Sequence, residues 1–128
     1  MIALYKKEIL WWTLLLAYSV FIFILSSGPV KMPGASFPAQ DKVLHAIAYG
    51  IMAWLAWHAL HAVPHPGWWA WLYAASYAAT DEWHQYFVPG RYCDLWDWVA
   101  DAMGAALVVL ILTGVARWHS PPTSAHSE

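Results

Sequence analysis

The chain has 128 residues, of which 61% are hydrophobic, 11 are tryptophan and only 11% are charged. A soluble domain of this size would expose too much apolar surface, so the composition indicates an integral membrane protein. The net charge of −2 comes without a basic stripe, which excludes nucleic acid as a partner, and the one cysteine, Cys93, excludes an internal disulfide.

Four apolar stretches approach or exceed the roughly 20 residues that a helix needs to cross a bilayer. They cover residues 9–27, 43–63, 68 to about 88, and about 95 to 118. Lys6 and Lys7 precede the first stretch as in a signal peptide, but residues 25–29 offer no small-residue cleavage site, so we predict a retained helix. The sequence therefore predicts an all-α fold, an integral membrane four-helix bundle with short loops.

The connections contain the helix-breaking residues. Residues 28–42 include Pro29, Pro33 and Pro38, so this segment is predicted to lie along the membrane interface rather than to be helical throughout. Residues 63–67 read Val-Pro-His-Pro-Gly, which is typical of a tight turn. We expect one four-helix transmembrane domain over residues 1–119 and a disordered cytoplasmic tail over 120–128, with no internal repeat.

Basic residues are nearly balanced between the two sides that four spans would create. The termini share one side and carry three of them, against three on the other side: Lys6, Lys7 and Arg117 against Lys31, Lys42 and Arg91. Lys42 and Arg91 lie beside acids that fix them for other reasons, and discounting them leaves the termini more basic. The positive-inside rule then predicts that both termini are cytoplasmic.

Six of the eight acids lie near helix ends that this topology places at the outer face. They are Asp41, Asp81, Glu82, Asp94, Asp97 and Asp101. An acid inside a spanning segment costs at least a few kcal/mol unless it is paired, hydrated or turned toward the protein interior. We therefore expect these side chains to converge with nearby basic and histidine residues, despite their separation in sequence.

Polar residues at the start of helix two follow helical spacing. Asp41 is predicted to cap this helix, and Lys42 either reaches the interface or holds an anionic group. His45 and Tyr49 are four residues apart and therefore share a face. Imidazole titrates near neutral pH, so His45 is either a proton-transfer group or ligand, or a hydrogen-bonded packing residue.

The end of helix three places Tyr77, Asp81 and Gln85 on one face, with Glu82 adjacent. Two neighbouring carboxylates near low dielectric favour one of them staying protonated, which suits acid–base chemistry and also cation binding. The alternative is a hydrated helix end in which Glu82 pairs with Arg91. A guanidinium fits phosphate or carboxylate, so a ligand and the internal acids compete for Arg91.

Helix four is predicted to begin with Asp94 as a cap and Asp97 complementing the helix dipole. Asp101 lies nearly two turns further along, so we expect it to face inward and to bond another polar side chain. Gly104 on the same face would let a neighbouring helix approach closely. The pattern assigns no residue as a metal ligand, because one cysteine cannot form a zinc cage, and it assigns no cofactor.

These motifs together resemble the VanZ-like membrane protein family. They are Asp41-Lys42-x-x-His45-x-x-x-Tyr49, Asp81-Glu82-x-x-Gln85-x-Phe87-x-Pro89-x-Arg91 and Asp97-x-x-x-Asp101-x-x-Gly104, spread over about residues 26–110. Asp101 stands where the family more often has asparagine. The resemblance implies a small multi-helix protein of the bacterial inner membrane. It also implies a link to teicoplanin resistance, since the name-giving member is connected with that glycopeptide, which carries a lipid tail and acts outside the membrane.

The leading hypothesis is a polar pocket in the outer leaflet that handles an amphiphile, either a membrane lipid or a lipid-linked cell-wall component. Lys42 and Arg91 would hold its anionic group, and the remaining predicted binding residues are Tyr49, Asp81, Gln85 and Asp101. If a reaction occurs, His45, Glu82 and Asp97 would transfer protons. Two alternatives are a non-enzymatic shield against lipoglycopeptides and a purely structural network. No oligomeric state is assigned.

Overall fold

Four helices make up most of the residues that the computed structural model describes, which are 2–28 and 40–119. They are α1 (Ile2–Ser26), α2 (Gln40–Ala59), α3 (Pro66–Gln85) and α4 (Leu95–Trp118). The predicted all-α four-helix bundle is confirmed. The predictions of an interfacial first connection and of a disordered tail concern residues 29–39 and 120–128, which lie outside the described residues.

Two of the helices end earlier than the apolar stretches that predicted them. The bounds of α4 match the prediction, whereas α2 ends at Ala59 rather than Val63 and α3 ends at Gln85 rather than near Val88. Apolar composition continues past both helix ends, but proline limits the backbone. Pro66 is the first residue of α3, behind His65 in the left-handed region (φ 56°), and Pro89 disfavours helical geometry at the residue before it.

Helices α2, α3 and α4 form a three-helix core, and α1 lies against one side of it. The most extensive packing is between α2 and α4. α1 packs mainly on α2 and only slightly on α3, and within the described residues it does not contact α4. Because successive helices run in opposite directions, the end of α1, the start of α2, the end of α3 and the start of α4 lie at the same end of the bundle.

Small residues let the core helices approach each other closely. Ala53 and Ala56 of α2, Ala74 of α3 and Ala105 of α4 are fully buried. A Cβ added to Gly104 would overlap the backbone of Ala46, so the predicted close approach at this glycine is confirmed. Close packing of this kind holds helices together where lipid tails are as apolar as the side chains.

Side-chain hydrogen bonds to backbone carbonyls join neighbouring helices. Two bonds cross the α3–α4 interface. Trp71 donates from Nε1 to the carbonyl of Ala102 at 3.1 Å, and Trp98 donates from Nε1 to the carbonyl of Ala75 at 3.0 Å. Tyr18 of α1 donates to the carbonyl of Ala48 in α2 at 3.0 Å. These bonds fix the relative positions of the helices along their axes.

Apolar side chains cover the outward surfaces of α1 and α4. Within the described residues, Tyr5–Ser26 and Leu95–Trp118 are the two segments long and apolar enough to cross a membrane. Leu16, Ile24, Leu107 and Leu110 are among the exposed large side chains of these helices. Lipid accepts such surface and water does not, so these two helices are consistent with a membrane protein.

Replacing Gly104 by alanine should lower the free energy of unfolding by about 1–3 kcal/mol, because the added methyl meets backbone that cannot move aside. Gly114→Ala is the matched control, since no atom lies within 4 Å of a Cβ built there. That change should be neutral or stabilising by up to about 1 kcal/mol. Thermal melting in detergent compares the two, and equal effects would contradict the close approach of α2 and α4.

Candidate functional site

The polar side chains predicted to converge do lie at one end of the bundle. Antiparallel packing brings the first turns of α2 beside the last turn of α3 and the first turns of α4. Nine residues form this group, which we call the polar cluster. They are Lys42, His45, Tyr49, Asp81, Glu82, Gln85, Asp94, Asp97 and Asp101.

Lys42 joins α2 to the start of α4. Its Nζ donates to Asp94 Oδ2 at 2.7 Å and to Asp97 Oδ1, and it lies 3.3 Å from Asp41 Oδ2. Three carboxylates therefore already surround this ammonium group. The sequence predicted Lys42 as a holder of an anionic ligand, but the structure places it inside an ion-pair network.

The start of α4 is capped as predicted. Asp94 Oδ1 accepts from the backbone N–H of Trp96 at 2.9 Å, and Asp97 lies in the first turn. The ammonium of Lys42 and the Trp96 N–H hold the pKa of Asp94 below its usual range. The prediction for Asp41 was wrong, since α2 begins at Gln40 and Asp41 lies within its first turn beside Lys42.

His45 and Asp101 meet between α2 and α4. His45 Nδ1 lies 3.0 Å from Asp101 Oδ1, and its Nε2 lies 3.9 Å from Asp97 Oδ2. Asp101 is 1% exposed, so it faces inward and bonds a polar side chain, as its spacing predicted. A histidine between two carboxylates can hold or pass a proton, so the hydrogen-bonded and the chemical interpretations of His45 are compatible.

Two buried carboxylates of α3 are only partly satisfied. Asp81 Oδ2 accepts from Tyr49 Oη at 3.1 Å and from Gln85 Nε2 at 3.2 Å. Glu82 Oε2 accepts from the backbone N–H of Asp94 at 2.9 Å. The other oxygens, Asp81 Oδ1 and Glu82 Oε1, are buried without a hydrogen-bond partner among the described residues. An unsatisfied buried acceptor costs about 1–3 kcal/mol, and more when it is charged.

Arg91 binds the end of α1 instead of an acid. Its Nε donates to the carbonyl of Gly28 and its Nη2 to that of Leu25, both at 2.9 Å. The alternative in which Glu82 pairs with Arg91 is therefore wrong. Within the part of the chain described, Arg91 forms no ion pair. A cation at the carbonyl end of a helix is favourable, so Arg91 fastens the loop after α3 to α1.

A cavity of about 500 Å³ lies between α1, α2 and the loop that precedes α4. Its polar wall includes His45, Tyr49, Asp81, Arg91 and Asp97. Its apolar lining comes from Ile22 and Leu25 of α1 with Leu44 and Ala48 of α2. Glu82 and Asp101, which belong to the polar cluster, do not line it.

The apolar wall was missed from sequence. Leucine and isoleucine in a spanning helix look the same whether they face lipid or a cavity, so no pattern marked these positions. Ser26, which ends α1, also lines the cavity. The neighbouring Ser27 instead lies 3.0 Å from His84 Nε2, outside the polar cluster.

The fold and the site define a class of protein: a helical membrane protein with an acid-rich polar site at one end of its bundle. The chain matches the family model described as VanZ/LLP1 over residues 8–117. It therefore belongs to the VanZ/LLP1 family, and the resemblance drawn from its motifs is confirmed. No curated protein and no solved structure matches the chain.

Replacing Asp94 by asparagine should lower the melting temperature at neutral pH, with the difference shrinking as pH falls from about 7 to about 2. Asparagine keeps the cap acceptor but loses the charge that pairs with Lys42. Because the pKa of Asp94 is lowered on folding, its charge stabilises the protein above the ordinary carboxylate pKa of about 3.9. That contribution is lost as pH falls through the folded-state value.

The control is the same substitution made in a Lys42→Gln background, where the partner charge is already gone. There Asp94→Asn should change the melting temperature little at any pH. A loss of stability that is equal at all pH values in the native background would contradict the ion pair as its source.

Proposed function

We propose that this VanZ-family protein binds an amphiphile, a membrane lipid or a lipid-linked cell-wall component, in the cavity at the polar end of its bundle. One observation carries the proposal: the cavity is lined by both apolar and polar side chains. Its volume of about 500 Å³ is within the range of ligand sites, roughly 300–1,000 Å³. A molecule with a chain and a headgroup matches both walls at once.

The apolar wall continues onto the surface that faces lipid. Leu25 and Leu44 both line the cavity, yet they remain 51% and 44% exposed. An acyl or prenyl chain therefore reaches the cavity sideways from the bilayer without crossing water. Burial of apolar surface stabilises such a chain only where it leaves water, so shape and headgroup contacts supply the selectivity.

Arg91 is the residue to which we assign the anionic group of the amphiphile. Lys42 is already surrounded by carboxylates, whereas the contacts of Arg91 are neutral carbonyls. A guanidinium keeps donors for phosphate or carboxylate after two are used, because it has five. Tyr49, Asp81 and Gln85 complete the polar wall by hydrogen bonding.

Binding is the part of the function that the geometry favours, and catalysis would be a further step. Of the three residues predicted to transfer protons, His45 and Asp97 line the cavity and Glu82 lies outside its lining. A structural network is the second candidate function, favoured by the contacts of Lys42 with Asp94 and Asp97. A variant that loses amphiphile binding but melts normally would favour the binding function over the structural network.

The location of the site sets the biological consequence that we propose. In the bacterial inner membrane, a cavity in the outer leaflet would meet the lipids and lipid-linked precursors beside which teicoplanin acts. Teicoplanin carries a lipid tail, so occupation or removal of an outer-leaflet amphiphile would alter susceptibility to it. Such an effect should not extend to a glycopeptide without a lipid tail.

Filling the cavity should abolish amphiphile binding. Ala48→Phe places a ring in the apolar wall, whereas Ile51→Phe, the matched control on α2, adds the same ring at an exposed position outside the cavity. Native mass spectrometry of the protein titrated with a polyprenyl phosphate and with phosphatidylglycerol should show at least about tenfold weaker binding for Ala48→Phe only, a loss of about 1.4 kcal/mol. Equal binding by both variants would contradict the proposed cavity.

A second variant tests the headgroup contact in the same assay. Arg91→Gln should weaken binding of the phosphate-bearing amphiphiles but leave a neutral diacylglycerol unaffected, and Arg91→Lys should recover part of the loss. Melting measured in parallel shows whether the contacts of Arg91 with α1 are needed for folding. Teicoplanin sensitivity of cells that express each variant should follow the binding data.

We also propose a multi-pass topology with both termini in the cytoplasm. Lys42 and Arg91 have structural contacts that explain their positions, which supports discounting them in the charge balance. The cavity then opens in the outer leaflet. Lys6, Lys7 and Arg117 are left as the residues that orient the chain.

Cysteine labelling in intact cells tests this orientation. The native chain carries one cysteine, Cys93, which is exposed in the loop before α4 and should react with a membrane-impermeant maleimide added outside. A Cys93→Ser, Ser124→Cys variant should react only after the cells are permeabilised. The reverse pattern would place the cavity on the cytoplasmic side.

A further inference from the structure

Three potential metal ligands from three different helices meet beside the cavity. They are His45 of α2, Glu82 of α3 and Asp101 of α4, and one ligand atom from each lies within 4.8 Å of the others. His45 also lines the cavity, so the group is continuous with the polar wall. The set combines one imidazole with two buried carboxylates, so it differs from a patch of acids on the surface.

One oxygen of this group is buried and unused. Glu82 is 5% exposed, and while its Oε2 accepts from the backbone of Asp94, its Oε1 has no hydrogen-bond partner among the described residues. A carboxylate oxygen in this state costs several kcal/mol if the group is ionised. A cation beside it would remove that cost.

The balance of buried charge points the same way. Asp81, Glu82 and Asp101 are all buried, and within the described residues no lysine or arginine contacts any of them. Lys42 forms ion pairs with Asp41, Asp94 and Asp97, and Arg91 donates hydrogen bonds to the end of α1. If all three acids are ionised, His45 alone cannot balance them, and a cation beside them would supply the missing positive charge.

We propose that His45, Glu82 and Asp101 bind a divalent transition-metal ion beside the amphiphile cavity. Imidazole with carboxylate oxygens suits ions such as Mn²⁺ and Zn²⁺. Three protein ligands leave one or more coordination positions for water or for an oxygen of a bound molecule.

The separations fit coordination after small movements. His45 Nδ1 and Asp101 Oδ1 are 3.0 Å apart, and two ligands at right angles about 2.1 Å from one ion are separated by about 3.0 Å. Tetrahedral coordination places them about 3.4 Å apart. The longest separation in the group is at most 4.8 Å, so coordination requires it to shorten by no more than roughly 1–2 Å.

A bound metal ion would add to the proposed function, but binding of the ion does not depend on the amphiphile. An acid-rich lining repels an anionic headgroup, and a divalent ion beside the cavity would reduce that repulsion. Its use as a phosphate contact rests on the proposed amphiphile site, but its binding by the three side chains does not. The two proposals are therefore tested by different variants.

The experiment titrates the purified full chain in detergent with a metal ion. Binding of Mn²⁺ is measured by electron paramagnetic resonance, as loss of the spectrum of the free ion. Binding of Zn²⁺ is measured by calorimetry. Amphiphile is left out. The native chain should bind one ion, and Glu82→Gln and Asp101→Asn should each bind at least about tenfold more weakly. Asp41→Asn is the matched control, since it removes an acid at the same end of the bundle but outside the three ligands.

Melting separates a binding role from a merely structural one. Metal should raise the melting temperature of the native chain and of Asp41→Asn, and it should not raise that of Glu82→Gln. Ala48→Phe should still bind the ion, so a failure of the cavity and a failure of the metal site are distinguishable. Absence of one-to-one binding of either ion by the folded native chain overturns the proposal, as does equal binding by all variants.

Discussion

Carboxylates placed inside a membrane protein must be compensated, and that requirement organises the whole polar end of this bundle. Lys42 compensates the outer acids at the start of α4, and His45 meets Asp101 deeper in the core. Tyr49 and Gln85 share one oxygen of Asp81. The contacts of Lys42, His45 and Tyr49 each join α2 to a different part of the bundle, so compensation of charge and association of the helices are the same interaction. The oxygens left over mark where the compensation is incomplete.

The same requirement explains why three of the helices pack closely and the fourth does not. α2, α3 and α4 hold the acids and therefore pack closely, with Gly104 and the buried alanines removing the distance between backbones. α1 carries none of the polar cluster and lies against one side of this core. Arg91 fastens its end through two carbonyls, and the space that remains between α1 and α2 is the cavity. Apolar side chains of α1 and α2 together with residues of the polar cluster give this cavity its mixed lining.

Much of this arrangement follows from sequence, because antiparallel helices bring known ends together. The spacing of Asp101 and Gly104 predicted an inward acid and a close helix contact, and the short loops predicted which helix ends meet. The alternative pairing of Arg91 with Glu82 was wrong because the partners of Arg91 are backbone carbonyls, which no residue type reveals. Asp41 was predicted as a cap but lies within the first turn of α2. The apolar wall could not be found, since a leucine that lines a cavity has the same pattern as one that faces lipid.

The most direct test is an experimental structure of the protein purified from its native membrane in a mild detergent. The account predicts elongated density in the cavity, with its apolar part between Leu25 and Leu44 and its polar end toward Arg91 and His45. A cavity closed by contact between α1 and α2, with Leu25 packed on Leu44 and no density between them, would contradict it.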